Sequence, residues 1–147
     1  MEGGAQTVKK SVLFLCTHNS ARSQMAEGLL RKMAGDQYDV FSAGTEATRV
    51  HPLAIEAMRE SGIDISGQQS KTLETFRNKN FDYVITVCDR ANETCPIFPG
   101  PVERIHWGFE DPSQGKGTEA QRLQAFRKVR DGILGRLRLF EVVAARR

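Results

Sequence analysis

The chain has 147 residues, 39% of them hydrophobic and 27% charged, with a formal net charge of +3. It is long enough to bury a core in one domain, and its charge is too mild to argue for a nucleic-acid partner. No apolar run approaches the roughly 18 residues of a membrane span, and residues 1–7 lack the apolar centre of a signal peptide; with three cysteines and no secretory signal, a cytoplasmic protein is expected.

Ser11–Leu15 reads as a strand, continuously apolar as where both faces are covered. The next helix runs from about Ser20 to Ala34, with Met25, Leu29 and Met33 on one stripe and Gly35 as its cap. Asp39–Ala43 alternates enough for a second strand. Pro52 suits the first position of a helix whose stripe is Leu53, Ala57 and Met58 and which Gly62 closes. Residues 61–70 form a turn-rich link, and Thr72–Phe76 a short helix. Phe81–Val87 is a third strand and Arg104–Trp107 a fourth. The last helix, Thr118 to about Val143, carries Leu123, Phe126, Val129, Ile133, Leu137 and Phe140 as a core face. Arg127, Lys128, Arg130, Arg136 and Arg138, with Arg146 and Arg147, read as a solvated face and a polar tail. Strands alternating with helices predict a single three-layer α/β domain over 1–147. Its centre is a four-stranded parallel sheet flanked by helices, and residues 1–8 are a flexible N-terminus. In such sheets ligands sit beyond the carboxyl ends of the strands, where Cys16 and Cys88 both fall.

Cys16, Arg22 and Ser23 make a C-x5-R-S unit between the first strand and the first helix. A loop of this length can curl its backbone N–H groups around one tetrahedral oxyanion, with the helix N-terminus behind it. Arg22 can fork two of the anion's oxygens. The same positive surroundings favour the thiolate, the nucleophilic form of Cys16. The plain alternative is a buried small hydrophobe after an apolar run; the strand before, the helix-compatible residues after and the absence of proline within favour the anion loop. Asn19 reads as scaffolding, because asparagine tolerates left-handed backbone and bonds loop amides. His18 either adds positive charge or faces solvent, and His51 and His106 read as structural.

Were Cys88 and Cys95 on one helix, they would lie about 10.5 Å apart along its axis. A disulfide needs Cα atoms roughly 4.4–6.8 Å apart, so the pair bonds only if the segment loops or unwinds. Pro96, Pro99 and Pro101 favour a mobile loop downstream. Two cysteines without partner pairs and three scattered histidines make a poor zinc set; two inert buried thiols remain an alternative. Combined with Cys16, the pair suggests a relay, in which a second thiol resolves the oxidised nucleophile and a third carries the disulfide outward. A hydrolase working through a phosphocysteine needs none of this. Asp111, in HWGFEDPS, is the candidate acid for a departing oxygen, and Pro112 restricts it to extended backbone. Glu110 competes for that role, and a turn or helix-entry aspartate is the plain alternative. Trp107 and Phe109 read as packing the sheet edge.

With these pieces assembled, the chain closely resembles the arsenate reductases that share the low-molecular-weight tyrosine phosphatase fold. The resemblance rests on LCTHNSARSQMAEG at 15–28, FSAG at 41–44, GIDIS at 62–66, TVCD at 86–89 and HWGFEDP at 106–112, and spans about residues 10–140. It implies the thioredoxin-linked branch, with no bound cofactor and with phosphate and sulfate competing with arsenate. In that branch Cys16 attacks arsenate, while Arg22 and the loop Thr17, His18, Asn19, Ser20, Ala21, Arg22 and Ser23 hold the oxyanion. Ser23 steadies the thiolate and Asp111 protonates the leaving oxygen. Cys88 then attacks Cys16 and releases arsenite, and Cys95 attacks Cys88. The Cys88–Cys95 disulfide is presented to thioredoxin, although glutaredoxin or another thiol could serve the last step.

Two departures from the family pattern stand out. Ala21 replaces a second loop cysteine that takes no part in the relay. Asn19, Glu27 and Ser42 match a potassium site that some members have, but Lys71 stands in place of its acid, so no metal and no potassium dependence are expected. The alternative function is a phosphatase acting on aryl or protein tyrosine phosphates. Such phosphatases place tyrosines just after the Asp-Pro; here Ser113 and Gln114 follow, with Tyr38 and Tyr83 elsewhere, so aryl phosphate hydrolysis is expected only as a weak side activity. A third reading is a non-catalytic oxyanion-binding domain. With no exposed apolar stripe evident, the chain is expected to be a monomer.

Overall fold

The computed structural model describes residues 8–88 and 98–145. Four strands, β1 (Lys10–Cys16), β2 (Tyr38–Gly44), β3 (Tyr83–Thr86) and β4 (Glu103–His106), form one sheet in the order β2-β1-β3-β4, every pair parallel. Among the described residues three helices accompany them: α1 (Arg22–Ala34), α2 (Pro52–Glu60) and α3 (Glu119–Ala145). Each strand lies within two residues of its expected bounds. The expected short helix at 72–76 is a 3-10 turn, Leu73–Phe76. Expectations for residues 1–7, for Cys95 within 89–97 and for Arg146 and Arg147 fall outside the described residues.

The unbroken apolar run of β1 follows from its central place. Val12, Leu13 and Phe14 are 0% exposed because strands flank β1 on both sides and side chains cover both faces. Alternation puts Phe14 on one face, where it meets Trp107 and the end of α3. There Phe140 packs on the rings of Tyr38, Tyr83 and Trp107. Leu13, in register with Phe41, faces the opposite side. Phe41 meets Phe76 and Phe81 edge-on, and Phe81 meets Phe98, so aromatic rings close that face too. The sheet is the middle of three layers.

The expected face of α3 is the buried one: Phe126, Val129, Ile133, Leu137 and Phe140 are in the core, and Leu123 packs against it half-buried. Two of its basic residues are not simply solvated. Arg127 and Arg130 reach Glu60 of α2 at 2.6 and 3.2 Å, and Arg130 also donates to the Ala57 carbonyl at 2.7 Å. The end of α3 also exposes Leu139, Val142 and Val143, an apolar stripe the sequence reading did not see. No helix among the described residues is long and apolar enough to cross a membrane.

The two helix-ending glycines differ. Gly35 caps α1 as expected, in a right-handed conformation with φ of −63°. Gly62 is left-handed, with φ of +76°, and the Gly62 and Ile63 amides bond back to the Arg59 and Met58 carbonyls. That double bond is a Schellman motif, and it needs a residue without a Cβ penalty at this position.

Candidate active site

The parallel sheet brings the carboxyl ends of all four strands to one edge, and the C-x5-R-S loop rises there from β1. Its carbonyls are bonded from outside, one after another. Cys16 O accepts from the Thr45 amide, Thr17 O from the Glu46 amide and the Thr45 hydroxyl, and Ser20 O from the His51 amide. His18 O accepts from the Ser70 hydroxyl at 3.0 Å, and Asn19 O from the Gln24 side chain at 3.0 Å. A trans peptide is planar, so a carbonyl held outward turns the following N–H inward. The loop amides from Thr17 to Ala21 are thereby turned away from those partners, toward the inside of the loop, as an anion-binding nest requires.

Asn19 makes the loop turn. Its φ is +48°, the only positive value among the described non-glycine residues, and its side chain is fully buried. Its Oδ1 accepts from Gln24 Nε2 at 2.9 Å and the Lys71 amide at 2.7 Å. Its Nδ2 donates to Ser23 Oγ at 2.7 Å and Ser42 Oγ at 3.0 Å. Ser23 Oγ, already accepting from Asn19, lies 2.8 Å from Cys16 Sγ and has its own proton left to donate to the sulfur. A chain of donors from Asn19 through Ser23 thus ends on the thiol.

Arg22 is 8% exposed and bridges the loop to the segment after β4. It donates to the Phe109 carbonyl at 3.1 Å and lies 3.6 Å from Asp111 Oδ2. The segment is tied to β3 by the Trp107 and Phe109 amides, bonded to Thr86 and Val87 carbonyls. Burial pushes the Asp111 carboxyl up; the Ser113 hydroxyl and amide, Arg22 and Gln114 together outweigh it and hold the carboxyl below its ordinary value. Cys16, His18, Ser20, Ala21, Arg22, Thr48, Asp111 and Ser113 enclose a cavity of about 170 Å³. Cys88 follows β3, is 4% exposed, and its Sγ lies 3.3 Å from Thr17 Oγ1. No disulfide links Cys16 to Cys88. Cys95 lies outside the described residues.

His18 faces both ways, lining the cavity while pairing with Glu46 at 3.5 Å on its outer side. His51 is structural and near the site. Burial, with Arg122 and Arg49 nearby, lowers its imidazole pKa against the opposing pull of Asp111. Its neutral Nδ1 accepts the Leu53 amide at 3.1 Å, capping α2. Glu110 is exposed. Trp107 packs on Phe14 and Phe140 as expected, while Phe109 adds its carbonyl to Arg22.

Asn19, Glu27 and Ser42 do converge, but not as open ligands. Ser42 donates a very short hydrogen bond to Glu27 Oε1, and Arg31 pairs with Glu27 Oε2 at 2.7 Å. Both carboxylate oxygens of Glu27, the Asn19 Oδ1 and the Ser42 Oγ already hold donors, so these residues as arranged do not fit a bound cation. Lys71, which stands in place of the family's acid, donates its ammonium to the Gln69 carbonyl at 2.5 Å, and Arg31 stands on the carboxylate. Among the described residues no group of three or more His, Cys, Asp or Glu is placed to hold a metal ion.

Sequence reasoning missed the outer scaffold: Thr45, Ser70, Gln24 and Gly44. At Gly44 a Cβ would lie 2.6 Å from the Asn19 amide nitrogen and 2.7 Å from the Thr17 carbonyl oxygen, so β2 can approach the loop only as glycine. The signal was present in FSAG at 41–44, but without the pairing of Cys16 to Gly44 it had no address.

Comparison with known proteins agrees with this geometry. The sequence profile of the low molecular weight phosphotyrosine protein phosphatases matches residues 11–145. The chain is 49% identical over 132 residues to an arsenate reductase of Halalkalibacterium halodurans, covering 90% of this chain and 95% of that one. It is 47% identical over 131 residues to the arsenate reductase of Bacillus subtilis, covering 89% and 94%. Among solved structures, an arsenate reductase in a phosphate-binding state superposes with a TM-score of 0.73 at 39% identity, over 89% of this chain and 95% of that one. A thioredoxin-dependent arsenate reductase of Corynebacterium glutamicum superposes with a TM-score of 0.73 at 31% identity, over 97% of this chain and 66% of that one. With the family profile matching residues 11–145, nearly the whole chain, this protein belongs to the low molecular weight phosphotyrosine protein phosphatase family.

Proposed function

We propose that the protein reduces arsenate to arsenite by a thiol–disulfide relay through Cys16, Cys88 and Cys95, with thioredoxin reducing the last disulfide. The relatives named arsenate reductase support the reaction, and the thioredoxin-dependent neighbour supports the reductant. The observation that carries the relay is the placement of Cys88, whose sulfur rests on the hydroxyl of Thr17, the residue next to Cys16. A hydrolase using the loop alone has no use for a thiol there.

Arsenate enters the cavity with its oxygens toward the loop amides and Arg22. The Cys16 thiolate, steadied by Ser23, forms an S–As bond while one arsenic oxygen departs as water, taking its proton from Asp111. Cys88 then attacks Cys16 Sγ; the S–S bond forms, and the S–As electron pair stays on arsenic, which leaves as arsenite. Cys95 attacks Cys88, regenerating Cys16, and the Cys88–Cys95 disulfide accepts two electrons from the thioredoxin dithiol. Nothing in these steps asks for a bound cofactor.

The test is NADPH oxidation with arsenate, thioredoxin and its reductase. Cys16→Ser is expected to be inactive, and Cys88→Ser and Cys95→Ser to lose turnover. Cys88→Ser retains the weak hydrolysis of aryl phosphates, which uses only the loop and Asp111. Normal turnover in all three variants overturns the relay.

A further inference from the structure

Asp111 carries two duties, and its two oxygens divide them. Oδ1 accepts twice from one residue, from the Ser113 amide at 3.0 Å and the Ser113 hydroxyl at 2.6 Å. Oδ2 is held more loosely, accepting a long hydrogen bond from Gln114 Nε2 at 3.5 Å and lying 3.6 Å from Arg22 Nη2. Ser113 also lines the cavity over Cys16. The oxygen that takes the two shorter bonds is the poorer place for a proton, because the added hydrogen would face a closely held N–H or O–H.

We propose that Ser113 is a positioning residue that reserves Oδ2 of Asp111 as the oxygen that carries the proton and delivers it to the departing oxygen in the cavity. The proposal rests on the reading of Asp111 as the acid. In the step, the O–H bond on Oδ2 breaks as a new O–H bond forms on the leaving oxygen, which departs as water. The carboxylate left behind is held by the two Ser113 donors and the Arg22 charge, and regains a proton from solvent. This is also why the Asx-type cap seen at this turn does not compete with catalysis: the cap uses one oxygen and the chemistry the other. The charged and titratable groups around Asp111 are Arg22 from the start of α1, His51 from the cap of α2, and Cys16 and His18 of the loop lining the same cavity. Glu110 beside it and Lys128 of α3 line the hollow on its outer side. Among the described residues Oδ1 takes its hydrogen bonds from Ser113.

The test compares Ser113→Ala, Ser113→Thr and Asp111→Asn with the wild type in the full-length reduced enzyme. Two quantities are read: the titration midpoint of the Asp111 carboxyl by carbon NMR, and the single-turnover rate of arsenite formation at saturating arsenate against pH. Losing the hydroxyl bond to the charged form raises the midpoint in Ser113→Ala by on the order of half a unit to one unit. The alkaline limb of the rate moves up with it, and the plateau falls about fivefold. The arsenate concentration at half-saturation does not change, and Ser113→Thr restores wild-type behaviour in both readouts. An unchanged midpoint and plateau in Ser113→Ala, with Asp111→Asn impaired, overturns the role of Ser113 alone. A wild-type rate in Asp111→Asn overturns the acid reading on which the proposal stands.

Discussion

Two residues show how little freedom the anion loop has. Ser23 is the last donor before the sulfur, at 2.8 Å, and Asn19 holds its lone pair. Ser23→Ala removes one hydrogen bond to a charged group, so the rate of arsenate reduction is expected to fall roughly ten- to a hundredfold with the fold intact. Stopped-flow turnover beside circular dichroism checks both halves. Gly44 acts without touching substrate. The atoms a Cβ would strike there are backbone of the loop and of residue 46, which cannot swing aside as a side chain can. Gly44→Ala is expected to cost at least tenfold in turnover by tilting loop amides out of line; wild-type turnover in a crystal-validated Gly44→Ala would show that the loop adapts.

The helices are held by terms that can be separated. At Gly62 a Cβ would meet nothing within 4 Å, so only the backbone conformation is at stake. Gly62→Ala is expected to destabilise the fold by about 1–2 kcal/mol, read from the urea midpoint at unchanged slope. Glu60 clasps α3 to α2: its hydrogen bond from Arg127, aided by Arg130, holds its carboxyl down at about 2. A depressed carboxyl stabilises the folded state fully above the unfolded value near 4.5, and that contribution fades as the pH falls toward 2. Glu60→Gln should therefore lower the urea midpoint at pH 7 and approach the wild type near pH 2.5. Because the pair is exposed, added salt should narrow the pH 7 gap as well.

For the whole molecule, the notable feature is an internal cation beside Asn19, Glu27 and Ser42, the residues in which the family resemblance suggested a potassium site. Arg31 of α1 stands on Glu27 at 2.7 Å, and Glu27 holds Ser42, which holds Asn19. The anion loop is thus wired to a fixed positive charge through three side chains. Exchanging sodium for potassium at constant ionic strength is expected to leave the melting temperature and turnover unchanged; a clear rise with potassium would show that the arginine yields its place.

The order of strands and helices, the gathering of Cys16, Arg22 and Asp111 at one cavity and the left-handed asparagine could all be read from the chain, because each depends on neighbours within a few positions: an apolar run ending in Cys16, a loop of set length to Arg22, a proline after Asp111. The carbonyl partners of the loop at 45, 46, 51 and 70, the clasp of α3 on Glu60, the pairing of Arg31 with Glu27 and the bonds from Ser113 to Asp111 could not. Each depends on where distant segments meet in space, and local rules of spacing and propensity carry no information about that.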